Sequence, residues 1–157
     1  PWIFAALIAS QMVPNGDLVG DLALITMFLC YLRPGEAMRL KEADLVRPTR
    51  QCSFLAINLH PSSRGESSKL LLSDESLMLD STDLLGLGSF LDRLRTGGPD
   101  QPLFKVQYPN IKKSFEKAQE KCGLKNVKYV MYQARHGGPS HDRRHKLRSL
   151  VEVKQRG

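Results

Sequence analysis

Apolar positions recur along this chain at helical spacing over most of its length and alternate with period two in only one region. Asn15-Gly16-Asp17 joins a turn to a helix-capping carboxylate. Residues 18–32 are then apolar at almost every position around Asp21, which predicts a helix buried on most sides. Pro34-Gly35 punctuates it, and residues 36–40 read as a second short helix, with Pro tolerated in the first turn. Residues 47–50 form a basic connector, and residues 53–59 alternate as a strand ending near Pro61. Residues 62–68, rich in Ser and Gly, predict an exposed loop. The apolar runs 69–72 and 77–79 flank Ser73-Asp74-Glu75-Ser76 as a hairpin, which with the preceding strand makes a small antiparallel sheet. Ser81 or Thr82 caps a helix to about Arg95, closed by Thr96-Gly97-Gly98-Pro99. Residues 108–121 form a further helix with Ile111, Phe115 and Ala118 on one face, ended by Cys122-Gly123. In the last quarter Leu147, Leu150 and Val153 predict a buried helical stripe among Arg135, Arg143, Arg144, Lys146, Arg148, Lys154 and Arg156. The fold class expected is mostly α with one small antiparallel β-sheet, α+β.

Composition adds bounds to this pattern. The 157 residues suit one domain with a real core, 1–157, and 41% hydrophobic with 25% charged residues is a globular balance. A formal charge of +7 fits a phosphate-backbone partner, because Lys and Arg release counterions from a duplex, although charge alone does not single out nucleic acid. Cys30, Cys52 and Cys122 form no metal-ligand spacing and read as reduced intracellular thiols, with Cys30 packed in a core. Residues 2–9 lack the basic stretch of a secretory leader, and residues 18–32 are short for a span and contain Asp21, so both read as buried helices rather than membrane segments. The opening Pro1 suggests an excised piece.

Two constellations carry chemistry. The first is Tyr31-Leu32-Arg33-Pro34-Gly35-Glu36, followed by Met38-Arg39-Leu40 and Asp44-Leu45. The second is Tyr132-Gln133-Ala134-Arg135-His136, followed by Gly137-Gly138-Pro139-Ser140. Taken alone, Arg33 can be read as complementing a helix C-terminal dipole and Glu36 as opening the next helix. Taken together and in this order, the two resemble the arginine boxes of the tyrosine recombinases of phage-integrase type: Gly-x-Arg-x-x-Glu and, later, His-x-x-Arg-His. The resemblance runs from about Asp17 to Gly157. Tyr31 stands where that pattern has Gly, Tyr132 where it has His, and Ala134 where Leu is common.

The resemblance implies a DNA-breaking and rejoining catalytic domain acting through a 3′-phosphotyrosyl intermediate, in DNA recombination or integration. It needs no metal and no cofactor. Attack on a phosphodiester builds charge on the nonbridging oxygens, and two guanidinium forks stay charged while holding them in pairs of hydrogen bonds. Arg33 and Arg135 are therefore the expected clamp. The resemblance also places a catalytic lysine on the hairpin between the boxes, which points to Lys69 as acid for the leaving oxygen, with Lys41 and Arg64 as weaker competitors. Tyr132 is expected to position the phosphate rather than abstract a proton, since an ordinary phenol titrates near 10. His136 reads as a structural histidine. Arg143, Arg144 and Lys146 are expected on backbone phosphates, although such a run can equally be a solvated face.

The family's nucleophile follows the second arginine by a few tens of residues. Here Tyr31, Tyr108, Tyr129 and Tyr132 all precede Arg135, so the domain is expected to be incomplete at its C-terminus and inactive in cis. Expected partners are double-stranded DNA and other copies assembled on it, with no membrane. The expected location is intracellular with DNA, in a nucleus or a bacterial cytoplasm. Three other readings stay open: a type IB topoisomerase, a recombinase-derived DNA-binding module without catalysis, and a basic helical domain whose arginines do not converge. Tyr31 and Tyr132 favour the module. A zinc site on His136, His141, His145 and Asp142 lacks a convincing further ligand.

Overall fold

A computed structural model describes residues 2–66, 74–80, 82–127 and 129–156. They fall into two compact units, Pro1–Met38 with Phe104–Gly157, and Arg39–Leu103.

The first unit is helical. Its elements are α1 (Trp2–Met12), α2 (Leu18–Leu29), most of α3 (Pro34–Arg39), α5 (Tyr108–Lys121), α6 (Tyr132–Arg144) and α7 (Leu150–Arg156), α4 belonging to the other unit. The Asp17 carboxylate accepts from Gly20 N–H at 2.8 Å and caps α2, as the Asn-Gly-Asp signal predicts. α1 packs on α2, α5 and α6, and α2 also packs on α5 and α6. The core holds Ile8, Met12, Leu24, Met27, Phe28, Ile111, Phe115 and Ala118, so the face expected on residues 108–121 is the buried one. Each of these side chains except that of Ala118 contributes roughly 1.5–3 kcal/mol relative to exposure. Cys30 is fully buried among them, and Cys30, Cys52 and Cys122 are unbridged thiols.

Gly138 sets the distance between α6 and α2. A Cβ there would lie 2.0 Å from the Phe28 carbonyl oxygen and 2.6 Å from Cδ1 of Tyr31. Only glycine permits that approach.

The second unit is a three-stranded antiparallel sheet in the order β1 (Leu45–Val46), β2 (Ala56–Leu59), β3 (Glu75–Met78), with α4 (Thr82–Leu94). Leu45 pairs with Ile57 and Ile57 with Leu77, so one face carries three buried side chains in a row. Gly88 lets α4 approach Leu55 and Leu79, and Leu84, Leu87 and Leu91 are buried. Buried Glu42 accepts from Thr96 and Gly97 N–H groups at 2.9–3.0 Å and anchors the turn after α4.

The mostly helical α+β class is observed, with two departures from the sequence pattern. Glu75 and Ser76 lie in β3, paired with Leu59 and Asn58, rather than in a turn. Ladder bonds are made by backbone, so a strand can begin before its apolar residues do. The strand expected over residues 69–72 lies outside the described residues. The stripe Leu147–Leu150–Val153 also fails, since Leu147 is 58% and Leu150 48% exposed while Val153 is buried. Lys146 takes a left-handed φ of 54°, and Leu147 N–H donates to Asp142 O at 2.9 Å, closing α6. The helical period is broken there, and α7 starts with a new phase. Among the described residues no helix is long and apolar enough to cross a membrane.

Candidate functional site

The first half of the site follows from how α2 ends. Leu32 N–H donates to Met27 O at 3.1 Å, which holds Tyr31 in the left-handed region at φ 57°. Glycine usually fills this position, because a side chain costs roughly 1 kcal/mol or more there. Tyr31 thus stands at a left-handed turn, the backbone geometry that the Gly of Gly-x-Arg-x-x-Glu is suited to.

Arg33 comes next and precedes α3. Its N–H donates to Glu36 Oε2 at 2.7 Å, while its guanidinium donates to Glu36 Oε1. A carboxylate three residues into a helix reaches back to the residue before it and favours the positive helix end. The Arg-x-x-Glu spacing therefore has a local cause.

The second half is the first turn of α6. Arg135 Nη1 donates to the Tyr31 carbonyl oxygen at 3.0 Å and lies 3.4 Å from Glu36 Oε2. Arg33 and Arg135 meet on one carboxylate. Glu36 and Arg135 are 8% and 12% exposed, so both belong to a low-dielectric setting, while Arg33 at 29% opens toward solvent. Burial works against the Arg33 charge, but the Glu36 carboxylate and a hydrogen bond to Tyr132 outweigh it and raise its pKa above the ordinary arginine range. Nε of Arg33 is buried with no acceptor. Arg33 and Arg135 thus lie within reach of one carboxylate, and guanidiniums are donors that an oxyanion can take up in a fork.

Tyr132 opens α6 beside Arg33 and is 44% exposed. Its ring meets His136 edge-on at 5.1 Å. The phenol lies close enough to the Arg33 guanidinium to favour its charged form.

A second network escaped the sequence reading. Tyr31 is buried, and its hydroxyl donates to Asp142 Oδ2 at 2.5 Å; Arg148 Nε donates to the same oxygen at 2.9 Å. The available signal was the seven-residue interval from Arg135 to Asp142, which puts both on one helix face with Gly138 between them. Asp142 is thus engaged with Tyr31 and Arg148. His141 and His145 do share a face, with ring centroids 4.5 Å apart. Among the described residues no three His, Cys, Asp or Glu groups gather to hold a metal.

Lys69 lies outside the described residues. Arg143 and Arg144 are exposed at the far end of α6, the first roughly 12 Å along the axis from Arg135 at 1.5 Å per residue, and Lys146 is exposed just past the helix end. Lys41 pairs with Asp100 at 3.0 Å, and Arg64 is held by Asp44 and Glu66, both at 2.7 Å. An apolar cleft of about 410 Å³, lined by Ile8, Leu24, Phe28, Phe115, Val130 and His136, adjoins α6 but brings no arginine with it. Compared with protein-family models, curated proteins and solved structures, the chain matches none.

Proposed function

We propose that Arg33 and Arg135 clamp the nonbridging oxygens of a DNA phosphodiester, in the catalytic domain of a tyrosine-recombinase-type breaking and rejoining enzyme. The observation that carries this reading is the meeting of the two arginines on Glu36, 99 positions from Arg135 in the chain. The reading required convergence, and guanidiniums facing different surfaces would have ended it.

In this reading Glu36 holds the two forks side by side before substrate arrives, so little reorganisation is needed when charge develops on the phosphate. Tyr132 adds a further group beside Arg33. Arg143, Arg144 and Lys146 contribute backbone-phosphate contacts farther along the duplex. Lys69 keeps the role of leaving-group acid that the resemblance assigns to it. The nucleophile is a tyrosine other than Tyr31, whose hydroxyl is committed to Asp142.

A second reading is a recombinase-derived DNA-binding module without strand cleavage. It draws on Tyr132, which stands where the resembled pattern has histidine.

One experiment separates the two. The full-length protein is incubated with a nicked suicide duplex, and covalent protein–DNA adducts are resolved under denaturing conditions. An adduct that Arg135→Ala abolishes supports the enzyme. Duplex binding that depends on Arg33 and Arg135 without any adduct supports the module, and binding indifferent to both sinks the phosphate clamp.

A further inference from the structure

We infer that Tyr132, His136 and Arg143 form a track on α6 for the phosphates of one DNA strand, with His136 as its pH-sensitive middle contact; this rests on the phosphate-clamp reading above.

The track follows from helix phase. At about 100° per residue, Tyr132, His136 and Arg143 fall within about 40° of one another around α6, and all three are exposed. Tyr132 stands beside Arg33, at the end where the two arginines meet on Glu36. Arg143 stands at the other end, next to Arg144. From Tyr132 to Arg143 the axis rises about 16 Å, over which a DNA strand lying along it presents about five phosphates. His136 is one turn from Tyr132, and its ring meets the phenol edge-on at 5.1 Å. A strand held by Arg33 and Arg135 and reaching Arg143 passes His136 on the way.

His136, expected from the sequence to be structural, is exposed, and its imidazole makes no hydrogen bond or ion pair among the described residues. The fold uses its backbone instead, where the carbonyl accepts from the Ser140 hydroxyl at 2.8 Å. The titratable groups near the ring are Tyr132 and Arg135 on its own helix and Tyr129 in the cleft that His136 borders. To that cleft α1, α2 and α5 bring Ala5, Ile8, Leu24, Phe28 and Phe115, all apolar. No carboxylate stands among these neighbours. The adjacent arginine works against an imidazolium, and a phosphate arriving from outside favours it. Affinity for a phosphate backbone therefore rises as pH falls through the range in which imidazoles titrate. Arg33, Arg135 and Arg143 keep their charge throughout and add no such dependence.

The test uses the 157-residue chain and a fluorescein-labelled DNA duplex, with anisotropy titrations at low salt from pH 8 to pH 5.5. Affinity of the parent should rise by about fivefold over that range, the scale of one charge-assisted contact. His136→Gln should bind as the parent does at pH 8 and lose most of the gain in acid. Its salt dependence at pH 5.5 should be flatter by about one phosphate contact. His136→Lys should bind at pH 8 about as tightly as the parent binds at pH 5.5, without further change. Arg143→Ala should weaken binding at every pH by about fivefold. His145→Gln controls for another exposed histidine at the end of α6 and should keep the gain. A parent affinity flat with pH, or a gain that survives in His136→Gln, overturns the role of His136. An Arg143→Ala variant that binds like the parent overturns the track.

Arg135→Ala separates the failures. Should it weaken binding at every pH while His136→Gln leaves the acid gain intact, the track is wrong and the clamp stands. Should Arg135→Ala bind as the parent does, the clamp reading falls and the track falls with it.

Discussion

Each unit of this protein contains a largely buried cluster of arginine and carboxylate, and the two have opposite stoichiometry. In the helical unit Arg33 and Arg135 share Glu36. In the sheet unit Arg64 is shared by Asp44 and Glu66, both at 2.7 Å, and takes a second bond to Asp44 at 2.9 Å. Asp44 also accepts from Lys41 N–H at 2.8 Å, so that carboxylate closes a turn as well as an ion pair. Arg64 is accordingly held deep in its charged form by Asp44 first, against a lesser opposing effect of burial. The helical cluster holds a buried donor, Nε of Arg33, that lacks an acceptor, while Arg64 is bonded to Glu66 through Nε and to Asp44 through both terminal nitrogens. Chemically similar groups thus share one carboxylate between two cations in one place and one cation between two carboxylates in the other.

The largest effects should come from removing the central carboxylates. Glu36→Ala should lower the free energy of unfolding by about 3 kcal/mol, because it takes the shared carboxylate from two poorly solvated cations, and Asp44→Ala, which leaves Glu66 on Arg64, by about 2 kcal/mol. Urea titration measures this, and the comparison adds a distinguishing arm. Millimolar inorganic phosphate should restore part of the stability of Glu36→Ala, where two cations are left to bind it, and little of that of Asp44→Ala, where Glu66 still holds Arg64. Equal recovery in both variants would erase the distinction.

Next in size is the effect of removing the cations. Arg33→Ala and Arg135→Ala should each weaken duplex binding by about tenfold and flatten its salt dependence by about one phosphate contact. Arg64→Ala should leave affinity within twofold of the parent and lower stability by about 1–2 kcal/mol. Anisotropy titrations over a salt series would show a reversed pattern if the Arg64 cluster were the binding site.

A smaller step is Arg64→Lys against Arg135→Lys. A lysine keeps the charge and loses the fork, so the first should cost about 1 kcal/mol in melting experiments through the lost second bond to Asp44. The second should appear mainly in duplex affinity.

The smallest effect concerns Asp21, a carboxylate that pairs with no cation among the described residues. Asp21 lies in α2 with Oδ1 buried and unbonded, and burial, with Asp17 adding repulsion, pushes its pKa from 3.8 up to about 6. A carboxyl group whose pKa is raised on folding favours the native state when protonated. Stability should therefore be greatest below about pH 4 and decline as pH rises through about 6, by about 1 kcal/mol after discounting for its half-exposed position. Asp21→Asn should flatten that decline in melts recorded from pH 4 to 7, and an unchanged slope would remove Asp21 as its source.

Much of the helical unit was legible because its signals are local. Asp17 caps α2, and residues 108–121 bury the face that their period marks. Gly123, in the left-handed region at φ 70°, closes α5 as glycine there should. Two other helices end in the same way with Tyr31 and Lys146 in that conformation, where composition gives no warning. Missing the one at Lys146 made residues 147–153 look like a single buried stripe. In the sheet unit, Leu45–Val46 is too short to stand out as a strand, and it exists because Ala56 and Ile57 pair with it.

The candidate site divides along the same line. The order of residues by itself put Arg33 after the end of one helix and three residues from Glu36, which opens the next. That Arg135 reaches Glu36, that Tyr31 spans two turns of α6, and that Asp142 serves as an anchor are contacts across about a hundred residues. They depend on α2 and α6 packing at the distance that Gly138 allows, and no local spacing encodes that distance. Helix phase places a side chain on a face, and only packing decides what that face meets.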